Sequence, residues 1–107
     1  MEKFMESAMK LFTKELLKKI PKIGETEGQN DPIVWAKLFY PDFSWTWYVI
    51  EFDGEDVCFG YVKGFQNELG YFSLKELQRT RGKLGCKIER DLYFKPKPLS
   101  RIIKGED

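Results

Sequence analysis

Histidine is absent from this sequence of 107 residues. It is the commonest general base, the usual partner of a nucleophilic serine or cysteine, and the most frequent transition-metal ligand. Its absence excludes hydrolase mechanisms built on Ser-His or Cys-His pairs. A Gly-x-x-x-x-Gly-Lys-Ser/Thr loop and a dinucleotide-binding glycine fingerprint are missing as well. ATP-driven or NAD-driven chemistry therefore has no support, and we expect no cofactor.

Cysteine is scarce, with only Cys58 and Cys86 in the chain. They lie in different segments and lack the Cys-x-x-Cys spacing of zinc sites and thioredoxin-type pairs. A chain with 42% hydrophobic residues does not need a disulfide for stability, so we expect both thiols to be reduced and largely buried. A disulfide between them is the alternative.

Long hydrophobic runs are also missing, because charged residues interrupt the first twenty positions repeatedly. This pattern excludes a secretory signal and a membrane span there, so we expect a cytoplasmic protein without a membrane partner. The length and the 16% aromatic content are typical of a folded chain with one core. We therefore predict a single domain over residues 1–107.

A strong net charge is absent too, since 18 basic residues face 17 acidic ones. No global field therefore attracts nucleic acid or an anionic membrane. The local distribution is uneven: residues 24–57 contain eight acidic side chains and one basic one, whereas residues 75–104 contain ten basic and three acidic ones. We expect a molecule with an acidic and a basic side.

The first segment, residues 2–20, predicts an amphipathic helix. Its apolar residues recur at spacings of three and four, lysines occupy the opposite side, and Pro21 ends the pattern. We expect this helix to pack on the domain; a helix that binds a membrane surface or a partner is the alternative. The apolar positions are Met5, Met9, Phe12, Leu16 and Ile20.

The middle of the chain predicts strands. Residues 33–40 favour a strand, and residues 44–52 and 57–63 favour an antiparallel hairpin around the turn at 53–56. Alternation places two apolar sets on opposite faces of the first hairpin strand, so both faces need cover or have a function. These sets are Trp45, Trp47 and Val49 on one face, and Thr46, Tyr48, Ile50 and Phe52 on the other.

The last third predicts a turn over residues 64–70, a short strand at 71–72 and a helix capped by Ser73 and Glu76 that runs to about Arg81. A final strand over residues 88–94 follows, after which Pro96 and Pro98 should prevent ladder pairing. A helical turn over residues 99–103 ends the chain. The fold class is α+β: an antiparallel sheet of four or five strands, with the N-terminal helix on one face and a short capped helix.

The first candidate site is an aromatic and acidic surface around residues 42–56. Neighbouring large aromatics on alternating faces cannot all enter one core, so at least one should reach a groove or a partner, where aromatic anchors are favoured. The candidate partner-binding residues are Trp45, Trp47, Tyr48, Asp42, Asp53 and Glu55.

The second candidate site is a basic run over residues 79–90 that could bind nucleic acid or a nucleotide. Clustered cations release counterions when they meet phosphates, and nearby aromatics could stack on bases. A solvated basic face is the plainer alternative. The candidate residues are Arg79, Arg81, Lys83, Lys87 and Arg90.

A carboxylate site for a divalent ion is the remaining chemical alternative. Glu89 and Asp91 would point to the same face of a strand, about 7 Å apart. Arg90 lies between them in sequence and other carboxylates are remote, so ion pairs on a solvated strand are favoured. We therefore predict no metal site and no catalytic residues.

Residues 31–99 carry an ordered series of motifs: Trp45-Thr46-Trp47-Tyr48, Phe59-Gly60-Tyr61-Val62, Glu68-Leu69-Gly70-Tyr71-Phe72-Ser73-Leu74 and Glu89-Arg90-Asp91-Leu92. This series resembles a family of small single-domain bacterial proteins of unknown function. That family is common on conjugative plasmids, integrative elements and phage-like islands, and residues 2–20 form an extension beyond the shared core. The resemblance implies a protein of a mobile element. With the missing catalytic motifs and the aromatic and acidic surface around residues 42–56, we expect a non-enzymatic cytoplasmic protein that binds a host protein; by analogy with the family's setting, inhibition of a host defence system is one form of that role. Binding of nucleic acid or a nucleotide is the alternative.

Overall fold

The computed structural model describes residues 11–107, which contain a five-stranded antiparallel sheet and a separate two-stranded one. Three short helices lie wholly within these residues, so the predicted α+β class is confirmed. The strands are β1 (Ile33–Val34), β2 (Ala36–Phe39), β3 (Thr46–Phe52), β4 (Val57–Lys63), β5 (Asn67–Ser73), β6 (Glu89–Arg90) and β7 (Lys97–Pro98); the helices are α1 (Lys14–Lys19), α2 (Leu74–Arg79) and α3 (Leu99–Ile103).

The larger sheet has the order β5-β4-β3-β2-β6. Its centre is the predicted hairpin of β3 and β4, which the structure confirms. Asp53 closes the turn between them, because its Oδ1 accepts the backbone N–H groups of Glu55 at 2.8 Å, Asp56 at 2.8 Å and Val57 at 3.1 Å. A short polar side chain that takes up the amide donors of the turn is typical of tight turns.

A β-bulge in β3 changes which face its last residues occupy. Val49 pairs with Gly60 and Glu51 pairs with Phe59, so Ile50 is an extra residue. An extra residue reverses the alternation beyond it. The predicted grouping of Phe52 with Tyr48 and Ile50 was therefore wrong.

Gly60 allows this bulge. A methyl group added at Gly60 would lie 1.8 Å from the Tyr48 carbonyl oxygen. Only a residue without a Cβ lets the two backbones come so close.

The large sheet separates two hydrophobic clusters. Residues 11–20 and α2 pack on one face, whereas β1 and α3 cover the other, so both apolar faces of β3 have cover. The first cluster contains Leu11, Phe12, Ile20, Ala36, Leu38, Tyr40, Trp47, Val49, Phe52, Cys58, Leu74, Leu77 and Ile88; the second contains Val34, Tyr48, Ile50, Tyr61, Leu99 and Ile102.

The predicted helix over residues 2–20 is interrupted within the described part of the chain. Thr13 has an extended backbone and starts α1 as its N-cap, with its Oγ1 accepting the Leu16 N–H at 3.1 Å. Phe12, just before this break, is fully buried and packs edge-on against Phe52, with ring centroids 5.4 Å apart. Residues 12–13 therefore interrupt the predicted helix, with Thr13 as a cap and Phe12 as a buried anchor. Residues 2–10 of the prediction lie outside the described residues. No helix of residues 11–107 has both the length and the apolar character needed to cross a membrane.

Two boundaries in the next region differ from prediction. The predicted turn over residues 64–70 is wrong from Asn67 onwards, because β5 begins there and pairs with β4 along its whole length. Ser73 is the N-cap of α2, as predicted, with its Oγ accepting the Glu76 N–H at 3.1 Å. The helix ends at Arg79 and not at Arg81.

The last strands also differ from prediction. Only Glu89–Arg90 pairs in the large sheet, because Asp91 accepts the Tyr93 N–H at 2.9 Å and turns the chain, which leaves Leu92 exposed. Pro98 pairs with Ile33 in β7 although we expected proline to prevent pairing. A two-residue edge strand tolerates proline because few of its N–H groups are needed for the ladder. The predicted turn at residues 99–103 is helix α3.

Candidate functional site

A groove of about 410 Å³ opens between the sheet and the segment that contains and follows α2. It forms where the end of β2 and the start of β3 face the last turn of that helix and the loop behind it. We call it the aromatic groove. Its lining residues are Tyr40, Phe43, Trp45, Trp47, Glu76, Leu77, Thr80, Arg81, Gly82 and Lys83.

Trp45 is the centre of the aromatic lining. Its ring stacks on Phe43 at a centroid distance of 6.0 Å, tilts against Trp47 at 6.1 Å and meets Phe65 edge-on at 5.2 Å. Trp47 is buried in the first cluster, but Phe65 is 94% exposed. The row of rings therefore runs from the core to the surface, which is the arrangement expected of an aromatic binding surface.

The rim of the groove carries two exposed cations, Arg81 and Lys83, which we call the basic rim. Arg81 is held at the end of α2, because its Nη1 donates to the carbonyls of Gln78 at 2.8 Å and Thr80 at 3.0 Å. A cation is favoured at the negative end of a helix.

Tyr40 fixes α2 against the sheet. Its hydroxyl donates to the Leu77 carbonyl, and its ring meets Trp47 edge-on at 5.6 Å. Burial raises the pKa of Tyr40, so the hydroxyl stays protonated and remains a donor. The groove wall is thereby attached to its aromatic floor.

Asp42 positions the loop that carries the basic rim. Its Oδ2 accepts the N–H groups of Leu84 at 2.6 Å and Cys86 at 3.1 Å. Burial alone would raise the pKa of Asp42, but the N–H donors of Cys86 and Leu84 more than offset it, so the pKa lies below its usual value. Gly82 packs so tightly that an added methyl group would meet Oδ1 at 1.5 Å. Asp42 therefore holds the rim in place.

The other predicted acidic residues lie outside the lining of the aromatic groove. Asp53 Oδ1 accepts backbone N–H groups of the hairpin turn. Asp56 accepts the Ser73 hydroxyl at 2.9 Å and the Lys75 N–H at 2.8 Å at the start of α2. Glu55 is exposed on the hairpin turn. Neither Asp53 nor Glu55 lines the aromatic groove.

Tyr48 lies on the opposite face of the sheet from Trp45 and Trp47. It belongs to the second cluster, and its hydroxyl donates to Asp107 Oδ2 at 2.6 Å. Burial and this carboxylate raise the pKa of Tyr48, while hydrogen bonds from Lys37 and Tyr48 lower the pKa of Asp107 to about 2. The structure thus brings together two of the three predicted aromatic residues.

The structure also separates the residues of the predicted basic run. Arg81 and Lys83 line the groove, whereas Arg79 and Lys87 are exposed outside its lining. Arg90 is half-buried, and its Nε donates to the Leu11 carbonyl at 2.5 Å, which attaches the N-terminal segment to β6. Of the predicted basic run, the structure thus places Arg81 and Lys83 at the groove.

The acidic residues Glu89 and Asp91 and the two cysteines do not line the groove. Asp91 faces Lys37, with 4.0 Å between Oδ2 and Nζ, and Glu89 is exposed. Within residues 11–107, no three His, Cys, Asp or Glu side chains are grouped as metal ligands would be. Cys58 is buried and Cys86 is half-buried, and both are free thiols.

A comparison with protein families matches residues 10–105 to the family described as "protein of unknown function (DUF2958)". The chain belongs to this family. The matched region includes the predicted core at residues 31–99 and extends beyond both of its ends. No curated protein and no solved structure matches the sequence. For this member of DUF2958, the geometry of the groove is therefore the basis for a functional assignment.

Sequence reasoning missed that Trp45 and Arg81 share one site. It also missed six lining residues: Tyr40, Phe43, Glu76, Leu77, Thr80 and Gly82. The position of Tyr40 could have been predicted from the pairing of β2 with β3. Because Phe39 lies opposite Thr46, Tyr40, which follows β2, lies beside Trp45, which precedes β3. The approach of α2 to that corner is a long-range packing event with no local sequence signal.

Proposed function

We propose that this protein is a non-enzymatic docking protein whose aromatic groove binds a segment of a partner protein. The observation that carries the proposal is the convergence of Phe43, Trp45 and the basic rim on one concave surface. Tryptophan, tyrosine and arginine are the residues most enriched among the energetic anchors of protein interfaces. A concave aromatic surface with a few polar groups is also the usual form of a binding site.

The shape and charge of the groove indicate the chemistry of the partner segment. Its aromatic floor favours an apolar or aromatic side chain as the anchor. Arg81 and Lys83 favour a carboxylate close to that anchor, since charge complementarity across an interface sets partner choice and orientation. The partner segment is thus an acidic one with a large apolar side chain.

The wider setting follows from the family resemblance. We place the protein in the bacterial cytoplasm as the product of a mobile genetic element, with a host protein as its partner. Inhibition of a host defence system is the specific form of this proposal, because a protein that blocks its partner by binding to it needs no catalytic residues. The shape and charge of the groove are consistent with such occupation.

Affinity capture from a bacterial lysate tests the proposal, provided that the lysate is treated with nuclease. The groove variant combines Arg81→Glu with Lys83→Glu. The matched control combines Lys95→Glu with Lys104→Glu, which makes the same charge change at exposed positions outside the groove. We expect the wild type and the control to retain the same protein and the groove variant to lose it. Equal retention by all three would contradict the proposal.

The second candidate function is binding of single-stranded nucleic acid or a nucleotide, favoured by the basic rim beside Trp45. Bases stack on aromatic side chains while cations neutralise phosphates. Titration of a labelled single-stranded oligonucleotide at several salt concentrations separates the two functions. Phosphate contacts weaken steeply with salt, whereas a contact built on aromatic anchors responds little. Steep salt dependence that Arg81→Glu reduces would favour the second candidate.

A further inference from the structure

The strand β5 forms one end of the five-stranded sheet. All seven of its residues pair with β4 in unbroken register, from Asn67 opposite Lys63 to Ser73 opposite Val57. No other strand of residues 11–107 pairs with its outer edge. This edge is therefore long and regular, and it offers a row of backbone donors and acceptors to a further strand.

The sequence of β5 carries only one of the usual devices that block edge pairing, a single charged side chain. It contains no proline, no lysine and no bulge, and Glu68 is its one charged residue. Two apolar side chains on one face are exposed, Leu69 at 49% and Tyr71 at 67%. Natural edge strands that stay unpaired carry charges, prolines or bulges, so this edge has the properties of a pairing surface.

We infer that β5 pairs with β5 of a second copy of this chain, antiparallel and centred on Gly70. In this register Leu69 of each copy faces Tyr71 of the other, and Asn67 faces Ser73. A twofold axis makes such an interface self-complementary, because each contact occurs twice. The result is one continuous sheet of ten strands, since each copy contributes its five-stranded sheet.

The charge of the strand selects this orientation. With Gly70 on the axis, the single acidic residue, Glu68, faces Phe72 of the second copy. A parallel in-register pair would instead place Glu68 directly opposite Glu68, and like charges directly opposite each other destabilise a sheet. The sequence around Gly70 therefore fits an antiparallel second copy and disfavours a parallel one.

The side chains of the second cluster also favour an antiparallel pair centred on Gly70. Tyr48 pairs with Tyr61 across β3 and β4, and Tyr61 pairs with Leu69 across β4 and β5. Phe59 similarly pairs with Tyr71, with ring centroids 5.0 Å apart. Antiparallel pairing at Gly70 would continue each apolar row into the second copy and cover the side chains that are now exposed. Aromatic and aliphatic cross-strand pairs of this kind stabilise sheets.

Sedimentation velocity of the full chain, from low micromolar to near-millimolar concentration, tests self-association. We expect a monomer–dimer equilibrium that Tyr71→Glu weakens by about tenfold or more, because a twofold interface loses two contacts with each substitution. Tyr93→Glu is the matched control, since Tyr93 is 93% exposed and lies outside β5. A wild type that remains monomeric throughout, or a dimer that Tyr71→Glu leaves unchanged, would overturn the inference.

Disulfide trapping tests the register itself. A side chain fits at Gly70, because an added Cβ has no atom within 4 Å. In a Cys86→Ser background, Gly70→Cys would place two thiols on the twofold axis, with Cα atoms about 5 Å apart, within disulfide range. The control, Asn67→Cys, would place them about 20 Å apart along the paired strands. We expect rapid disulfide dimers from the first variant alone. Equal rates in both variants would contradict the Gly70 register.

Neither experiment depends on the aromatic groove, because β5 contributes no residue to its lining. Both are carried out without a partner protein or nucleic acid. Loss of self-association would therefore leave the proposed function intact, and failure of the groove variants would leave the dimer intact.

Discussion

Glu51 is a buried carboxylate, 3% exposed, that organises the loop before β1. Its Oε1 accepts the Gly24 N–H at 2.8 Å, and its Oε2 accepts both the N–H and the hydroxyl of Thr26. The bulge in β3 turns this side chain away from the first cluster and towards the loop. A buried charge is tolerated only when hydrogen bonds satisfy it, and Glu51 meets that condition.

We predict that Glu51→Gln lowers the free energy of unfolding by about 3 kcal/mol, because hydrogen bonds to a charged group are replaced and an amide donor is set against backbone donors. Glu55→Gln is the control, since Glu55 is exposed and should change stability by less than about 0.5 kcal/mol. Urea unfolding at neutral pH measures both variants. Equal stability of the two variants would contradict the structural role of Glu51.

The pH dependence of this effect has a defined sign. Burial raises the pKa of Glu51, but hydrogen bonds from Thr26 and Gly24 outweigh burial and hold the pKa below its ordinary value of 4.5. A lowered pKa means that the ionised group stabilises the folded state above the ordinary value, and that this stability is lost as the pH falls through the folded-state pKa. The stability difference between the wild type and Glu51→Gln should therefore shrink as the pH falls below 4.5.

At the scale of single elements, the β3–β4 pair depends on the close approach at Gly60. We predict that Gly60→Ala destabilises the protein by about 3 kcal/mol or more, because the new methyl group meets the Tyr48 carbonyl in a buried sheet. Gly70→Ala is the matched control in the neighbouring strand, where an added Cβ meets nothing. It should be neutral or slightly stabilising. Thermal unfolding followed by circular dichroism distinguishes them, and equal midpoints would contradict the bulge.

The elements also show what periodicity can predict. The hairpin of β3 and β4 and the Ser73 cap were readable because turn residues and a capping pattern mark them locally. The bulge was missed because residues 47–50 are apolar on both faces. Glu51 was its one sign, since strict alternation would place this carboxylate on the same face as Trp47 and Val49. The start of β5 was not predicted, because the first half of the strand is exposed and mostly polar and therefore has the pattern of a loop.

At the scale of the whole molecule, the sequence predicted the right residue types for the candidate site but separated them into two rival surfaces. Trp45 and Trp47 were assigned to one, and Arg81 and Lys83 to the other. The fold joins them because Tyr40 holds α2 against the end of β2. Of the predicted acidic residues, Asp42 positions the basic rim, whereas Asp53 and Glu55 lie outside the groove lining.

Photo-crosslinking in bacterial cells tests most directly whether the aromatic groove binds a partner protein. A benzophenone amino acid replaces Phe43, which lines the groove, and in a control chain it replaces the exposed Tyr93 outside it. We predict a discrete, nuclease-resistant protein adduct from position 43 that is absent from position 93. No adduct at position 43, or the same adducts from both positions, would contradict the assignment of the groove as the binding site.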